Sequence, residues 1–328
     1  MTPQRRTARL PRRAVLAAPS LLALPARAQT SWAMATEYPA TAITGEGVAF
    51  FARAASDASG GALAVTAQPN GPRSADLPEA VAMGKLQAAC AFTGAMANAI
   101  PLFGLSALPF LTGSAADAAK LLAAARPAYA ETLAARGLVL LYATPWPPSG
   151  IWSREALPDA EALKGLKIRT FDATSTEVFR AAGAAPQQIS FADAMPKLRA
   201  GEMDAVLSSG DGGAGARLWE VLPHFTSIDY AWPLSLAFAS AAAFGALPAA
   251  AEAAVRQAGQ LTEARQFTTI ATRLAENQAR MQAAGVRMAD GSASLRGALR
   301  AAAAPAVAAW QEKVGERGAR ILAAYRAA

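Results

Sequence analysis

The sequence predicts an α/β protein built as two lobes, with one long helix lying across both. Three observations predict it. Short apolar runs of strand character alternate with helical segments from residue 31 to residue 222. Pro145, Pro147, Pro148 and Gly150 crowd together midway. From Pro248 to Gly285 there is no internal proline and only Gly259 to weaken a helix. Alternation with short connections implies mostly parallel sheets covered by helices. The proline cluster marks a crossing between lobes. A helix of roughly 36 residues would reach about 54 Å at about 1.5 Å per residue, longer than one small lobe. The other reading of that stretch is two helices broken near Gly259.

The elements follow from local patterns. Ser31–Ala35 reads as a strand, and Gly45–Ser59 as a helix with Phe50, Phe51 and Ala54 as apolar points, stopped by Gly60-Gly61. Leu63–Ala67 is a strand before a loop forced by Pro69-Asn70-Gly71-Pro72. A short helix at Leu77–Gly84, a buried strand at Gln87–Thr93, a helix at Ala115–Arg136 ended by Gly137 and an apolar strand at Leu138–Thr144 complete the first half. Beyond the proline cluster, strands are expected at Lys167–Thr170, Gln187–Ile189 and Asp204–Ser208. Helices are expected at Thr174–Ala182, Phe191–Ala200 and Ala214–Leu222. An alanine-rich helical stretch from Ser294 to the end is expected on the outside.

Residues 1–28 carry six arginines and no acidic residue, then an apolar run from Ala14 to Leu24, then Ala26-Arg27-Ala28. A basic region, a short apolar core and a small-x-small end form a secretory signal peptide, and a core of 11 residues is too short to span a bilayer. Arg12-Arg13 before Ala-Val-Leu suggests the twin-arginine route, with Arg5-Arg6 as a competing pair. The formal charge of +7 then loses its meaning: removing six of 31 basic residues leaves 25 against 24 acidic ones. That balance argues against nucleic-acid binding, which needs a clustered basic face. One cysteine, Cys90, permits no intramolecular disulfide and reads as a buried small hydrophobe. A single histidine, His224, excludes multi-histidine metal sites, and no metal or cofactor is expected.

Two motifs could carry chemistry. Gly210-Asp211-Gly212-Gly213-Ala214-Gly215 fits G-x-G-x-x-G between a predicted strand and helix, with Asp229 19 residues after Gly210. One reading is an exported nucleotide-cofactor enzyme using loop 210–215. The other is a glycine-rich turn whose N–H groups face a cleft. The second motif is Leu163-Lys164-Gly165-Leu166-Lys167-Ile168-Arg169-Thr170. Alternation places Arg169 near the carboxyl end of a strand, where such sheets face their crevice. A guanidinium there offers a planar fork matched to a carboxylate.

In these segments the chain resembles the extracytoplasmic solute receptors of tripartite ATP-independent periplasmic (TRAP) transporters, the dicarboxylate-receptor-like DctP family. Trp32 to Gly47 resembles the family's first strand and loop, Leu163 to Thr170 its most specific signature, and Phe191 to Asp204 its following helix and strand. The stretch from Pro248 resembles its domain-spanning helix. The resemblance implies a two-lobed periplasmic binding protein fold. The expected division is residues 29–146 plus 235–274 in one lobe and 147–234 plus 275–328 in the other. It implies a non-enzymatic, monomeric periplasmic receptor that delivers a small organic acid to membrane subunits.

It also implies that Arg169 pairs with the ligand carboxylate and that Phe171, Asp172, Ala173 and Phe191 line the cleft, with Glu37 and Tyr38 facing it from the other lobe. Ser208, Ser209 and Gly210 stand where many relatives place a ligand-binding asparagine, and Asp211 joins them as a candidate. Many acidic-sugar and dicarboxylate receptors carry a second arginine about twenty residues earlier. Here Pro147-Pro148-Ser149-Gly150-Ile151-Trp152 occupies that region. One arginine suits one carboxylate. Trp146, Trp152, Phe171, Phe191 and Trp232 lie near predicted strand ends, and aromatic walls suit a monocarboxylate of the 2-oxo, 2-hydroxy or aromatic kind.

Overall fold

A computed structural model describes Thr2 and residues 29–328. The expected export signal lies outside these residues. The first lobe begins with strand β1 (Thr30–Ala35), helix α1 (Ile43–Ala58), β2 (Leu63–Gln68), α2 (Leu77–Ala82), β3 (Ala88–Phe92), α3 (Thr93–Met96), α4 (Ala115–Ala134) and β4 (Leu138–Pro145). The second holds β5 (Ser149–Ser153), β6 (Lys167–Thr170), α5 (Ala173–Ala181), β7 (Ala185–Gln188), α6 (Phe191–Arg199), β8 (Ala205–Ser209), α7 (Gly210–Gly215) and β9 (His224–Ser227). The chain then returns through β10 (Leu234–Ser240), α8 (Ala241–Gly245), α9 (Ala249–Ala283), β11 (Arg287–Asp290), α10 (Ala293–Val314) and α11 (Glu316–Ala327).

The first sheet has the order β2-β1-β3-β10-β4 and the second β11-β9-β5-β8-β6-β7. Most neighbours are parallel, as alternation demands. Two strands run against the rest: β10 is antiparallel to β3 and β4, and β5 is antiparallel to β8 and β9. Both arrive directly from the other lobe. They enter their sheets from the cleft end, so they point away from it. The chain crosses between Pro145 and Ser149, within the proline cluster, and again just before Leu234.

The long stretch is one helix. α9 runs unbroken for 35 residues, about 52 Å, past Gly259. Its buried side changes character along its length. Ala251, Ala254, Val255 and Ala258 pack on the first lobe, Thr262, Gln266, Arg273 and Asn277 follow at the junction, and Met281 enters the second core. Gly259 is an accommodation to the sheet, because a Cβ there would lie 2.7 Å from the Leu141 carbonyl oxygen of β4.

Two expectations fail. Ala214–Leu222 does not form one helix: α7 ends at Gly215, Arg217 adopts φ 54°, and only a 3-10 turn follows at Leu218–Glu220. The C-terminal stretch is not an outer layer confined to the second lobe. α10 packs on α5, yet buries Trp310, whose Nε1 donates to the Pro101 carbonyl at 2.8 Å. Gly315 (φ 66°) then turns the chain, and α11 sets Ile321 and Leu322 into the first core beside α4.

Alanine is the better helix former by about 1 kcal/mol. Gly259→Ala is nonetheless expected to destabilise the protein by about 1–3 kcal/mol, since its Cβ must displace a backbone carbonyl. A urea unfolding midpoint above that of the parent protein would show that α9 can move off β4.

Candidate functional site

The strand ends of both sheets face one cleft. Tyr38 follows β1, Phe92 ends β3, Trp146 follows β4 and Pro233 precedes β10 on the first lobe. Ser149 opens β5, Arg169 lies near the end of β6, and Ser208 and Ser209 close β8 on the second. The turns from strand to helix on the second lobe are fixed by Asp172, Ser190 and Ser209. Each side chain accepts a backbone N–H three residues on, satisfying a helix start.

Arg169 is 5% exposed. Its Nε donates to the Ile189 carbonyl at 2.9 Å and its Nη1 to the Leu207 carbonyl at 3.2 Å. Backbone on both flanks of β6 therefore fixes the plane of the guanidinium. Phe191 packs on it, with Cζ 5.6 Å from the ring centroid. No carboxylate lies within salt-bridge distance among the described residues. Burial lowers its pKa from the ordinary arginine value, while Tyr38, Glu37 and Asp172 oppose that shift. The group stays a cation, because arginine does not release its proton in proteins.

Two hollows share Tyr38, Phe92, Arg169 and Phe171 among their walls. The inner one is about 30 Å³ and reaches Ser149, Ser209 and Gly212. The outer one is about 210 Å³ and reaches Glu37, Ser74 and Asp193. Aromatic rings meet across the cleft: Phe92 and Phe171 are edge-on at 5.3 Å, and Tyr38 lies 6.5 Å from Phe191. On its own lobe Tyr38 packs 4.6 Å from Trp146. Glu37 accepts the Ser74 N–H at 2.9 Å, and its Oε1 is buried without a partner. Burial, with Glu37 adding to it, pushes the Tyr38 phenol well above its ordinary range, so it stays protonated. A larger hollow of about 460 Å³ lies behind α7, against Asn277 and Met281. It is not lined by Arg169, and the candidate site is placed at the arginine.

Arg169, Phe171, Phe191, Ser209, Glu37 and Tyr38 thus line one cleft. Trp152 and Asp211 do not. Trp152 is fully buried beneath the floor, packed on Phe225 at 5.1 Å and donating to the Ser209 carbonyl at 3.1 Å. It supports Ser209 from behind. Trp232 is a core ring as well. Phe92 and Ser149 were missed. The carboxyl-end rule already pointed to Phe92, which closes a buried strand.

Asp211 is fully buried and structural. Its Oδ2 accepts the Ile43 N–H at 2.8 Å, at the start of α1. Its Oδ1 accepts from Asn277 Nδ2 at 3.0 Å and stands 2.6 Å from Arg273 Nε. Arg273 also donates to Glu46 and to the Thr41 carbonyl. The glycine run around Asp211 is likewise occupied by protein. A Cβ on Gly213 would lie 2.1 Å from the Trp152 ring, on Gly212 2.7 Å from Ser208 Oγ, and on Gly215 3.5 Å from Pro39 and Ala42. These glycines let a six-residue helix wedge between the two lobes, which corrects the cofactor-loop reading.

Residues 34–313 match the family described as bacterial extracellular solute-binding protein, family 7. The chain belongs to this family, the solute-binding proteins of TRAP transporters. The crystal structure of DctP7 of Bordetella pertussis, a receptor binding pyroglutamic acid, is 30% identical, covers 90% of this chain and 99% of that one, and superposes with a TM-score of 0.87. A marine metagenome TRAP solute-binding protein, specific for pyroglutamate and carrying it co-purified, is 27% identical over 92% of this chain and 99% of that one, also with a TM-score of 0.87. A Sinorhizobium fredii protein described as uncharacterized protein y4mM is 28% identical over 209 residues. That match takes in 61% of this chain, which spans about a third (34%) of that relative's length.

Two predictions follow from the buried carboxylates. Asp211→Ala leaves Arg273 buried without its nearest charge and is expected to cost about 3–5 kcal/mol, read from denaturant unfolding. Asp172 is raised to about 6 by burial, against Ser175 and Arg169, and its Oδ2 has no partner. The folded state therefore holds this proton more tightly than the unfolded chain, and stability falls as pH rises from about 4 through about 6. Asp172→Asn should gain about 3 kcal/mol at pH 8 and little at pH 4. Equal gains at both pH values would remove the assignment.

Proposed function

We propose that this protein is an exported, periplasmic receptor that captures a small organic monocarboxylate between its lobes. It would deliver the acid to the membrane subunits of a TRAP transporter without transforming it. One observation carries the reading: Arg169 is a buried cation, aimed by two backbone carbonyls, with no carboxylate within salt-bridge distance among the described residues. A buried charge without a counter-charge is costly, and a ligand carboxylate supplies the missing partner in bidentate form. Tyr38 from the first lobe and Phe171 and Phe191 from the second would close on the ligand body, so a bound acid favours the closed arrangement by touching both sides. Small hollows with aromatic walls suit a compact body. Pyroglutamate, the ligand of the two structural relatives above, belongs to that class and is the first compound to test.

Calorimetry on ligand-stripped protein tests the reading. Pyroglutamate or another small monocarboxylate is expected to bind, and Arg169→Ala to lose about 2–5 kcal/mol of that binding. Arg169→Lys keeps the charge without the planar fork and should fall between. Unchanged affinity in Arg169→Ala, or binding confined to dicarboxylates, would overturn it.

A further inference from the structure

The outer hollow contains a second arginine. Arg73, in the loop after β2, lines it together with Arg169. Arg73 Nη2 donates to Asp193 Oδ1 at 2.9 Å, and Asp193 belongs to the first turn of α6 on the opposite lobe. The pair spans the mouth of the cleft. The Asp193 N–H is held by the Ser190 hydroxyl at 3.0 Å. Around the same hollow stand Glu37 and Asp76. The charged lining is thus two guanidinium groups against three carboxylates, and one guanidinium is already tied to one carboxylate. An exposed pair of this kind does little to hold lobes together. Its consequence lies in the charge it leaves for a ligand: the Arg169 cation, and a surplus of carboxylates around the rest of the outer hollow.

Building on the carboxylate-receptor reading above, we propose that Asp193 is a specificity-determining residue. By pairing Arg73 across the cleft mouth, it withholds the second cation that a dicarboxylate would need and restricts the receptor to monocarboxylates. The electrostatics agree with the geometry: Asp193 holds Arg73 above the ordinary arginine range, and Ser190 and Arg73 hold Asp193 below the ordinary carboxylate range. Like charges placed together discriminate strongly between ligands of the same size.

The test compares L-pyroglutamate with glutarate and succinate by calorimetry on the full exported chain. The parent protein should favour pyroglutamate, and Asp193→Ala should reduce that preference about tenfold by gaining affinity for the dicarboxylates. Adding Arg73→Gln to Asp193→Ala should cancel the gain, which a general loosening of the cleft would not do. Three results overturn the proposal: glutarate binding the parent protein as tightly as pyroglutamate, no gain in Asp193→Ala, or a gain that survives loss of Arg73. A preference shift with Arg169→Ala still binding normally would instead overturn the carboxylate anchor and leave Asp193 as the selector. Failure of the parent protein to bind any of the three acids would overturn both.

Discussion

Asp211 has no access to water, so its charge has to be balanced where it sits. The balance comes from three directions: a backbone N–H at the start of α1, the Asn277 amide and the Arg273 guanidinium of α9. Those groups belong to the first lobe and to the helix that crosses both, while Asp211 belongs to the second lobe. A single buried carboxylate therefore sets the distance between the lobes and the spine. Gly212 and Gly213 beside it have no room for a side chain, since a Cβ there would meet the Ser208 hydroxyl at 2.7 Å and the Trp152 indole at 2.1 Å. Gln266 reinforces the same place by donating to the Ile43 carbonyl at 2.6 Å.

Arg169 is the counterpart. It lies as deep as many core residues, and its donors are partly met by carbonyls, yet among the described residues no carboxylate forms a salt bridge with it. Balanced charge at Asp211 gives rigidity to the junction. Unbalanced charge at Arg169 gives affinity to the cleft. The two sites lie on either side of the first turn of α7: Ser209 before it and Gly212 within it face the inner hollow, while Gly210 faces the space behind. Trp152 fills the floor between them.

Much of the architecture could be read from local pattern. Alternating strands and helices, the crossing within the proline cluster and the long unbroken helix are properties of contiguous residues. Arg169 was legible because a strand end in a parallel sheet has only one place to face. What escaped was non-local. The strands β5 and β10 pair with elements far away in sequence, and nothing in Ser149–Ser153 announces that the partners will be β8 and β9. Trp152 sits three residues beyond Ser149 on the same strand, so it stands farther from the cleft and faces the opposite side of the sheet from Ile151. Asp211 looked like a ligand group because a carboxylate beside glycines usually serves the chemistry of a loop. Its partners at Ile43 and Arg273 come from segments distant in the chain.

The placement of β10 has a consequence for how the molecule is made. It lies between β3 and β4 in the middle of the first sheet, and its segment follows the whole of β5 through β9 in the chain. Until Leu234–Ser240 is synthesised, β3 and β4 each present an open edge, and the first core lacks Trp310, Ile321 and Leu322 from the far end. The lobe that starts the protein is thus among the last parts to close. Such long-range closure slows folding.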